Sequence, residues 1–151
     1  MYNICRRMII NDEEAQDVLQ NSFIDIFTKL KMFKFESTPG AWIKRIVVNN
    51  CINHLRSRKL IIKELNFDYE IADCHDDDIE LNVTVIYNAI GLLPEGYRVV
   101  FNLYAVEGYD HGEISEILNI SESTSKSQYS RAKSKLYDIL RTSGNLNNIY
   151  S

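Results

Sequence analysis

Lys126, Ser127, Ser130 and Arg131 stand three and four residues apart, so a helix gathers them on one side. Cations hold phosphates, and small hydroxyls reach base edges, which together make a DNA-facing surface. The opposite side of the same segment carries Tyr129, Ala132, Leu136, Ile139 and Leu140, an apolar face with helical spacing. Ser121 suits the N-cap of this helix, and Thr124 sits in its first turn. Ahead of it, Asp110 can cap a shorter helix with Ile114, Ile117 and Leu118 as its stripe, and Asn119-Ile120-Ser121 form the turn between the two. A short helix, a tight turn and a basic second helix is the pattern of a helix-turn-helix, whose second helix enters the major groove. The plainer reading of these residues is an amphipathic helix pair with a solvated charged face.

A second constellation lies in the first half of the chain. At about 100° per residue, Arg45, Asn49, Asn53 and Arg56 share one narrow arc of a helix starting near Pro39. Guanidinium groups grip phosphates, and amides hydrogen-bond base edges. Phe35 and Trp42 supply flat aromatic surface close by, with Lys34 and Lys44 beside them. Aromatic platforms interleaved with cations suit single-stranded nucleic acid. Against this, Trp42 alone reads more simply as a core anchor.

The elements that must position these residues are helices. From Asp12 to Lys31, Ala15, Val18, Leu19, Ser22, Phe23, Ile26, Phe27 and Leu30 trace an apolar stripe, with Asp12, Glu13 and Glu14 at the start suiting the helix dipole. A helical stub, Tyr2 to Ile10, precedes it. The helix from Pro39 to Lys59 is expected to turn Trp42, Ile43, Ile46, Val47, Asn50 and His54 to one side. Further helices are expected at about 79–92, 95–106, 110–118 and 122–141, the third ending a connection marked by Gly108. No strand-like alternation and no internal repeat is visible. The fold class is therefore all-α: two small helical domains joined by an acidic linker, the C-terminal one a helix-turn-helix. Residues 1–60 form the first domain, 61–79 the linker, 80–142 the second domain and 143–151 a tail.

Composition narrows the function. The net charge of −4 opposes nucleic-acid binding only on average. Residues 1–63 are net basic, residues 64–80 hold eight acids and no Lys or Arg, and residues 121–141 are again net basic. No apolar run approaches the roughly 20 residues of a membrane span, and Met1 to Ile10 lacks a signal-peptide pattern, so a cytoplasmic protein without membrane insertion is expected. Three unevenly spaced cysteines argue against a disulfide framework. Cys51 and His54 fall on the apolar side of their helix, and Cys74-His75 lies in the acidic stretch without a second pair, so no metal is expected. No nucleophile–base pair or Gly-rich phosphate loop can be assembled. Asp76-Asp77-Asp78 reads as a solvated run rather than a Mg²⁺ site. No catalytic residue, cofactor or small-molecule substrate is expected.

Several motifs resemble one family. Asp12-Glu13-Glu14-Ala15-Gln16-Asp17-Val18-Leu19-Gln20-Asn21-Ser22-Phe23, Phe35-Glu36-Ser37 and Trp42-Ile43-x-x-Ile46-x-x-Asn49 resemble region 2 of an extracytoplasmic-function (ECF) sigma factor of the sigma-70 family. Leu93-Pro94-Glu95-Gly96-Tyr97-Arg98, Glu107-Gly108-Tyr109-Asp110-His111-x-Glu113-Ile114 and Ile120-Ser121-Glu122-Ser123-Thr124-Ser125-Lys126-Ser127 resemble its region 4. The resemblance implies a subunit that binds core RNA polymerase and directs it to promoter DNA, with an anti-sigma factor as a further partner. It implies that Phe35, Glu36, Ser37 and Thr38 form a pocket for a base of the opened −10 element. Asn49 and Asn53 would read or brace that strand, while Arg45 and Arg56 hold phosphates. Ser121, Thr124, Lys126, Ser127, Ser130 and Arg131 would contact the −35 element. Asp17, Gln20, Asn21 and Ile24 would face the polymerase.

Three departures from the family pattern bear on packing and readout. Asn21-Ser22 stands where an acidic and a larger apolar residue are frequent. Ser125 falls on the buried side of the recognition helix, where valine is common, and Gln128 often corresponds to a basic residue. The family pattern also has a further part-helix ahead of Tyr2, so region 2 is expected to be either truncated or short of part of a packing partner. The alternative to a sigma factor is a dimeric helix-turn-helix regulator acting without polymerase, which would leave the Phe35 to Arg56 constellation without a purpose.

Overall fold

The computed structural model describes residues 1–59 and 83–142. Within them the chain is helical: α1 (Tyr2–Met8), α2 (Asp12–Lys29), α3 (Pro39–Lys59), α4 (Val83–Gly91), α5 (Glu95–Phe101), α6 (His111–Leu118) and α7 (Glu122–Thr142). The helices fall into two compact units, α1–α3 and α4–α7. The expected linker, with Cys74, His75 and the three consecutive aspartates, lies outside the described residues, as does the tail from 143 on.

In the first unit, α1 and α2 pack on α3. Asn11, not a residue of the acidic run, caps α2: its Oδ1 accepts from the Glu14 N–H at 3.1 Å. The core is made by Ile4, Cys5, Met8 and Ile9, by Ala15, Val18 and Ile26 of α2, and by Ile46, Val47, Val48, Cys51, Ile52 and Leu55 of α3. Two expectations are corrected here. The stripe of α2 is only half buried: Ala15, Val18, Ser22 and Ile26 point inward, whereas Phe23, Phe27 and Leu30 are exposed. Eight apolar positions at those offsets span about half the helix circumference, more than a packing face covers. On α3 the buried row is Ile46, Val47, Val48, Cys51, Ile52 and Leu55, so Ile46 and Val47 turn inward as expected while Trp42, Ile43, Asn50 and His54 are half-buried at its flanks.

Polar groups at those flanks are paired. The Asn50 amide donates to Ser22 Oγ at 3.1 Å and to Asp25 Oδ2 at 2.9 Å, and Ser22 Oγ donates to the Val18 carbonyl at 2.7 Å. Glu14 Oε2 lies 3.1 Å from His54 Nε2 and accepts from Arg58 Nη1 at 3.1 Å, tying the start of α2 to the end of α3. The helix expected to run to Lys31 changes to a 3₁₀ turn at Leu30–Met32.

In the second unit, α7 packs against α4, α5 and α6. Ala89, Ile90, Leu93, Leu136 and Leu140 form a core to which Val85, Ile86, Phe101 and Ile139 are added. The helix expected over 95–106 is interrupted: α5 ends at Phe101 and residues Asn102–Val106 form a π-helical turn. Gly108 then adopts φ +79° and the Tyr109 N–H bonds the Leu103 carbonyl at 2.9 Å, closing the helix end. That conformation needs glycine, because a Cβ at positive φ is strained.

Candidate nucleic-acid interface

The second unit contains a complete helix-turn-helix. Asp110 caps α6 in a reciprocal pair: its Oδ1 accepts from the Glu113 N–H at 2.8 Å, while its own N–H donates to Glu113 Oε2 at 2.9 Å. Asn119 ends α6 in the left-handed region at φ 53°, which asparagine tolerates. Ser121 Oγ then accepts from the Thr124 N–H at 3.0 Å and meets Thr124 Oγ1 at 2.7 Å, opening α7. Both helix starts thus carry side-chain caps. Asp110→Ala is expected to cost about 1 kcal/mol, lowering the thermal midpoint by about 4–8 °C; Asp110→Asn is expected to recover most of the loss.

The recognition side of α7 is in place. Ser121, Thr124, Lys126, Ser127, Ser130 and Arg131 are all exposed. Lys126 pairs with Glu122 at 3.3 Å, both side chains open to solvent. An exposed i,i+4 pair is worth only a few tenths of a kcal/mol, so a phosphate can take its place.

The back of α7 explains the serine at 125. Ser125 is fully buried, and its Oγ lies 2.9 Å from His111 Nδ1. The His111 ring stacks on Tyr104 at 4.4 Å, and Tyr104 touches Tyr129 at 4.4 Å. Tyr129 also stacks on Phe101, and Lys133 lies over its outer face at 4.9 Å. Burial pushes the Tyr129 phenol above its ordinary range, with the neighbouring Tyr104 adding to the rise. One polar pair and a run of rings therefore hold α5, the π turn, α6 and α7 in register. From sequence, His111 stands only within the Glu107 to Ile114 motif, without a role, and Tyr104 is not singled out, since the π turn takes it off a 3.6-residue period.

The first unit carries the second constellation. Phe35 has φ 58°, a left-handed conformation costly for a bulky residue, and its ring is 82% exposed. Phe33, which the sequence did not single out, bridges the aromatic pair: its ring lies 4.6 Å from Phe35 and 5.0 Å from Trp42. Glu36, Ser37 and Thr38 are exposed beside them. Thr38 has a structural task as well, since its Oγ1 accepts from the Ala41 N–H at 3.2 Å and starts α3 ahead of Pro39. Along α3, Asn49, Asn53 and Arg56 are exposed and Arg45 is half-buried. Trp42, placed with the apolar side from sequence, falls at the correct spacing to continue this line toward Phe33. A three-ring platform leading into amides and guanidinium groups can stack unpaired bases and hold their backbone.

On α2, Asp17, Gln20, Asn21 and Ile24 are exposed, on the side away from Ala15, Val18 and Ser22. Beside them lie Phe23 and Phe27, so the outward face is more apolar than the sequence stripe implied.

A helix-turn-helix in one unit and an exposed ring platform with an amide ridge in the other define an all-α protein with two separate modules, one of a shape suited to duplex DNA and one to unpaired bases. The family model described as Sigma-70 region 2 matches residues 1–61, and that described as Sigma-70, region 4 matches residues 84–136. The chain is 32% identical to the RNA polymerase sigma factor SigZ of Bacillus subtilis (strain 168), over 87% of this chain and 76% of that one. It is 28% identical to the ECF RNA polymerase sigma factor SigW of the same organism, over 93% and 83%. Its fold is similar to that of the sigma factor RpoE in its complex with the anti-sigma factor NepR from Bartonella quintana (TM-score 0.65, 20% identity, 93% and 89% covered). It is also similar to CnrH in complex with the cytosolic domain of CnrY (TM-score 0.57, 23% identity, 93% and 79% covered). The chain belongs to the ECF sigma factors of the sigma-70 family. Its function is therefore to bind core RNA polymerase and direct promoter recognition and opening in transcription initiation.

Proposed function

We propose that the two modules divide promoter recognition between them, with residues 1–60 acting on the −10 element, 80–142 on the −35 element, 61–79 as the acidic tether and 143–151 as a tail. Ser121, Thr124, Lys126, Ser127, Ser130 and Arg131 contact −35 bases and phosphates in the major groove. Phe35, Glu36, Ser37 and Thr38 receive an unpaired −10 base, Asn49 and Asn53 brace the strand, and Arg45 and Arg56 hold its phosphates. The observation that carries this reading is Phe35, a strained and outward-facing ring continuous with Phe33 and Trp42. A ring held out of the core at a backbone cost fits a stacking role better than a packing one.

Asp17, Gln20, Asn21 and Ile24 meet the polymerase, with Phe23 and Phe27 enlarging that face. An anti-sigma factor is a further partner, a reading supported by the complex in which RpoE is seen with NepR; we place it on the same outward face of α2. No helix among the described residues is long and apolar enough to cross a membrane, in keeping with action in the cytoplasm. The chain contributes no catalytic group of its own; the chemistry of RNA synthesis belongs to the polymerase.

Few cations line either DNA surface, so each module binds DNA weakly alone. Tethering both to polymerase raises their effective concentration and lets weak contacts cooperate. The test is permanganate reactivity of unpaired thymines at a promoter opened by polymerase with this chain. Phe35→Ala is expected to reduce opening about 5- to 160-fold, the equivalent of one lost stacking contact of about 1–3 kcal/mol, with −35 protection and polymerase binding unchanged. Undiminished reactivity would remove Phe35 from the −10 site.

A further inference from the structure

Cys5 and Cys51 are fully buried, and their sulfurs lie 3.7 Å apart between α1 and α3. The family role described above uses neither. Sequence gave no hint of the pair, because the two residues are far apart in the chain and the third cysteine makes the total odd. The contact is directional: the Cys51 thiol donates to Cys5 Sγ. That hydrogen bond holds the Cys5 thiol below its ordinary value against the opposing effect of burial. Cys5 is thus the readier thiolate and Cys51 its neighbour in line.

We propose that Cys5 and Cys51 are a redox-modification site that closes to a reversible disulfide under a two-electron oxidant of the peroxide class. The Cys5 thiolate attacks the peroxide O–O bond, giving Cys5 sulfenic acid and releasing one water once protonated. The Cys51 sulfur then displaces the sulfenic oxygen as a second water, forming the S–S bond. Two thiols are oxidised and one peroxide is reduced to two waters. A dithiol reverses the step by exchange.

Geometry favours closure. A disulfide needs about 2.05 Å between sulfurs, so the pair must approach by about 1.7 Å. The element that moves is α1, which packs on α2 and α3. Local opening of this helix pair admits the oxidant that full burial excludes. Once formed, the bond staples α1 to α3, the helix that carries Arg45, Asn49, Asn53 and Arg56.

The experiment uses the full chain carrying Cys74→Ser, which removes the third thiol. The folded protein is treated with hydrogen peroxide, unfolded, alkylated and weighed. The expected result is a loss of about 2 Da for two hydrogens, no alkylation, a peptide joining Cys5 to Cys51 and a thermal midpoint raised by at least about 5 °C. Dithiothreitol is expected to restore two alkylatable thiols and the original midpoint. In Cys5→Ala and Cys51→Ala, each checked for helicity by circular dichroism, the loss of mass and the rise in midpoint should both vanish. Two thiols still alkylatable after peroxide, oxygen added to the cysteines without a cross-link, or a bond only between separate chains would each overturn the proposal.

Discussion

Replacing Ile24 and Phe27 together by aspartate should abolish stable association with core RNA polymerase while leaving the fold intact. Both side chains project from α2 into solvent, at 62% and 73% exposure, and neither contributes to the core under Ala15, Val18 and Ile26. Their loss therefore costs the isolated chain little. In a complex the balance differs, because two apolar anchors are replaced by two carboxylates that must be desolvated. Central anchors of an interface each contribute about 2 kcal/mol or more. A loss of that size at one anchor weakens binding about 30-fold, and the paired change should exceed it. Affinity measured by fluorescence anisotropy, with thermal midpoint as the control, reads this directly. A midpoint within about 4–8 °C of wild type is expected, since two surface substitutions of about ±0.5 kcal/mol each sum to at most about 1 kcal/mol.

Leu103→Ala should be the most damaging single truncation in the second unit. Leu103 is fully buried, and it occupies the π turn between α5 and α6 where its carbonyl closes the chain through the Tyr109 N–H. Removing a buried leucine costs about 2–5 kcal/mol, through lost transfer energy and the cavity left behind. For a unit of this size each kcal/mol moves the midpoint by about 4–8 °C. A fall of at least about 10 °C is expected for the α4–α7 unit, followed by amide hydrogen exchange. Protection in α1–α3 should be retained. Because the same turn sets Tyr104 against His111, recognition of the −35 element should fall below what the residual folded fraction accounts for.

Helix content and the helix-turn-helix were legible because they depend on local signals. Asp110 with Glu113, Asn119 in a left-handed turn, and Ser121 with Thr124 each act within a few residues of chain. What stayed hidden depends on partners distant in sequence. The outward turn of Phe23, Phe27 and Leu30 is such a case, since a stripe does not reveal which of its edges a neighbouring helix will cover. The inclusion of Phe33 in the stacking platform depends on the backbone reversal at Phe35, which no residue type in that stretch announces. The cysteine pair needs α1 docked on α3 before it exists.

The two serines that depart from the family pattern follow one physical rule. Ser22 and Ser125 each stand fully buried where an apolar side chain is frequent, and each has a hydrogen-bond partner from another helix: Asn50 for Ser22 and His111 for Ser125. A buried hydroxyl without a partner is costly, whereas a satisfied pair is close to neutral. These serines therefore tie neighbouring helices together through a satisfied hydroxyl, and each partner is recognisable only once the fold is known.

On the proposed division of labour, one chain acting through polymerase reads two separated promoter elements. The direct measurement is transcription by core RNA polymerase, with and without this chain, on a library of randomised promoters whose transcripts are sequenced. Transcripts are expected only when the chain is present, from templates enriched in two blocks separated by a fixed spacing. Lys126→Ala with Arg131→Ala should relax the upstream block, and Phe35→Ala the downstream one. Enrichment of a single palindromic site bound by the chain without polymerase would contradict it.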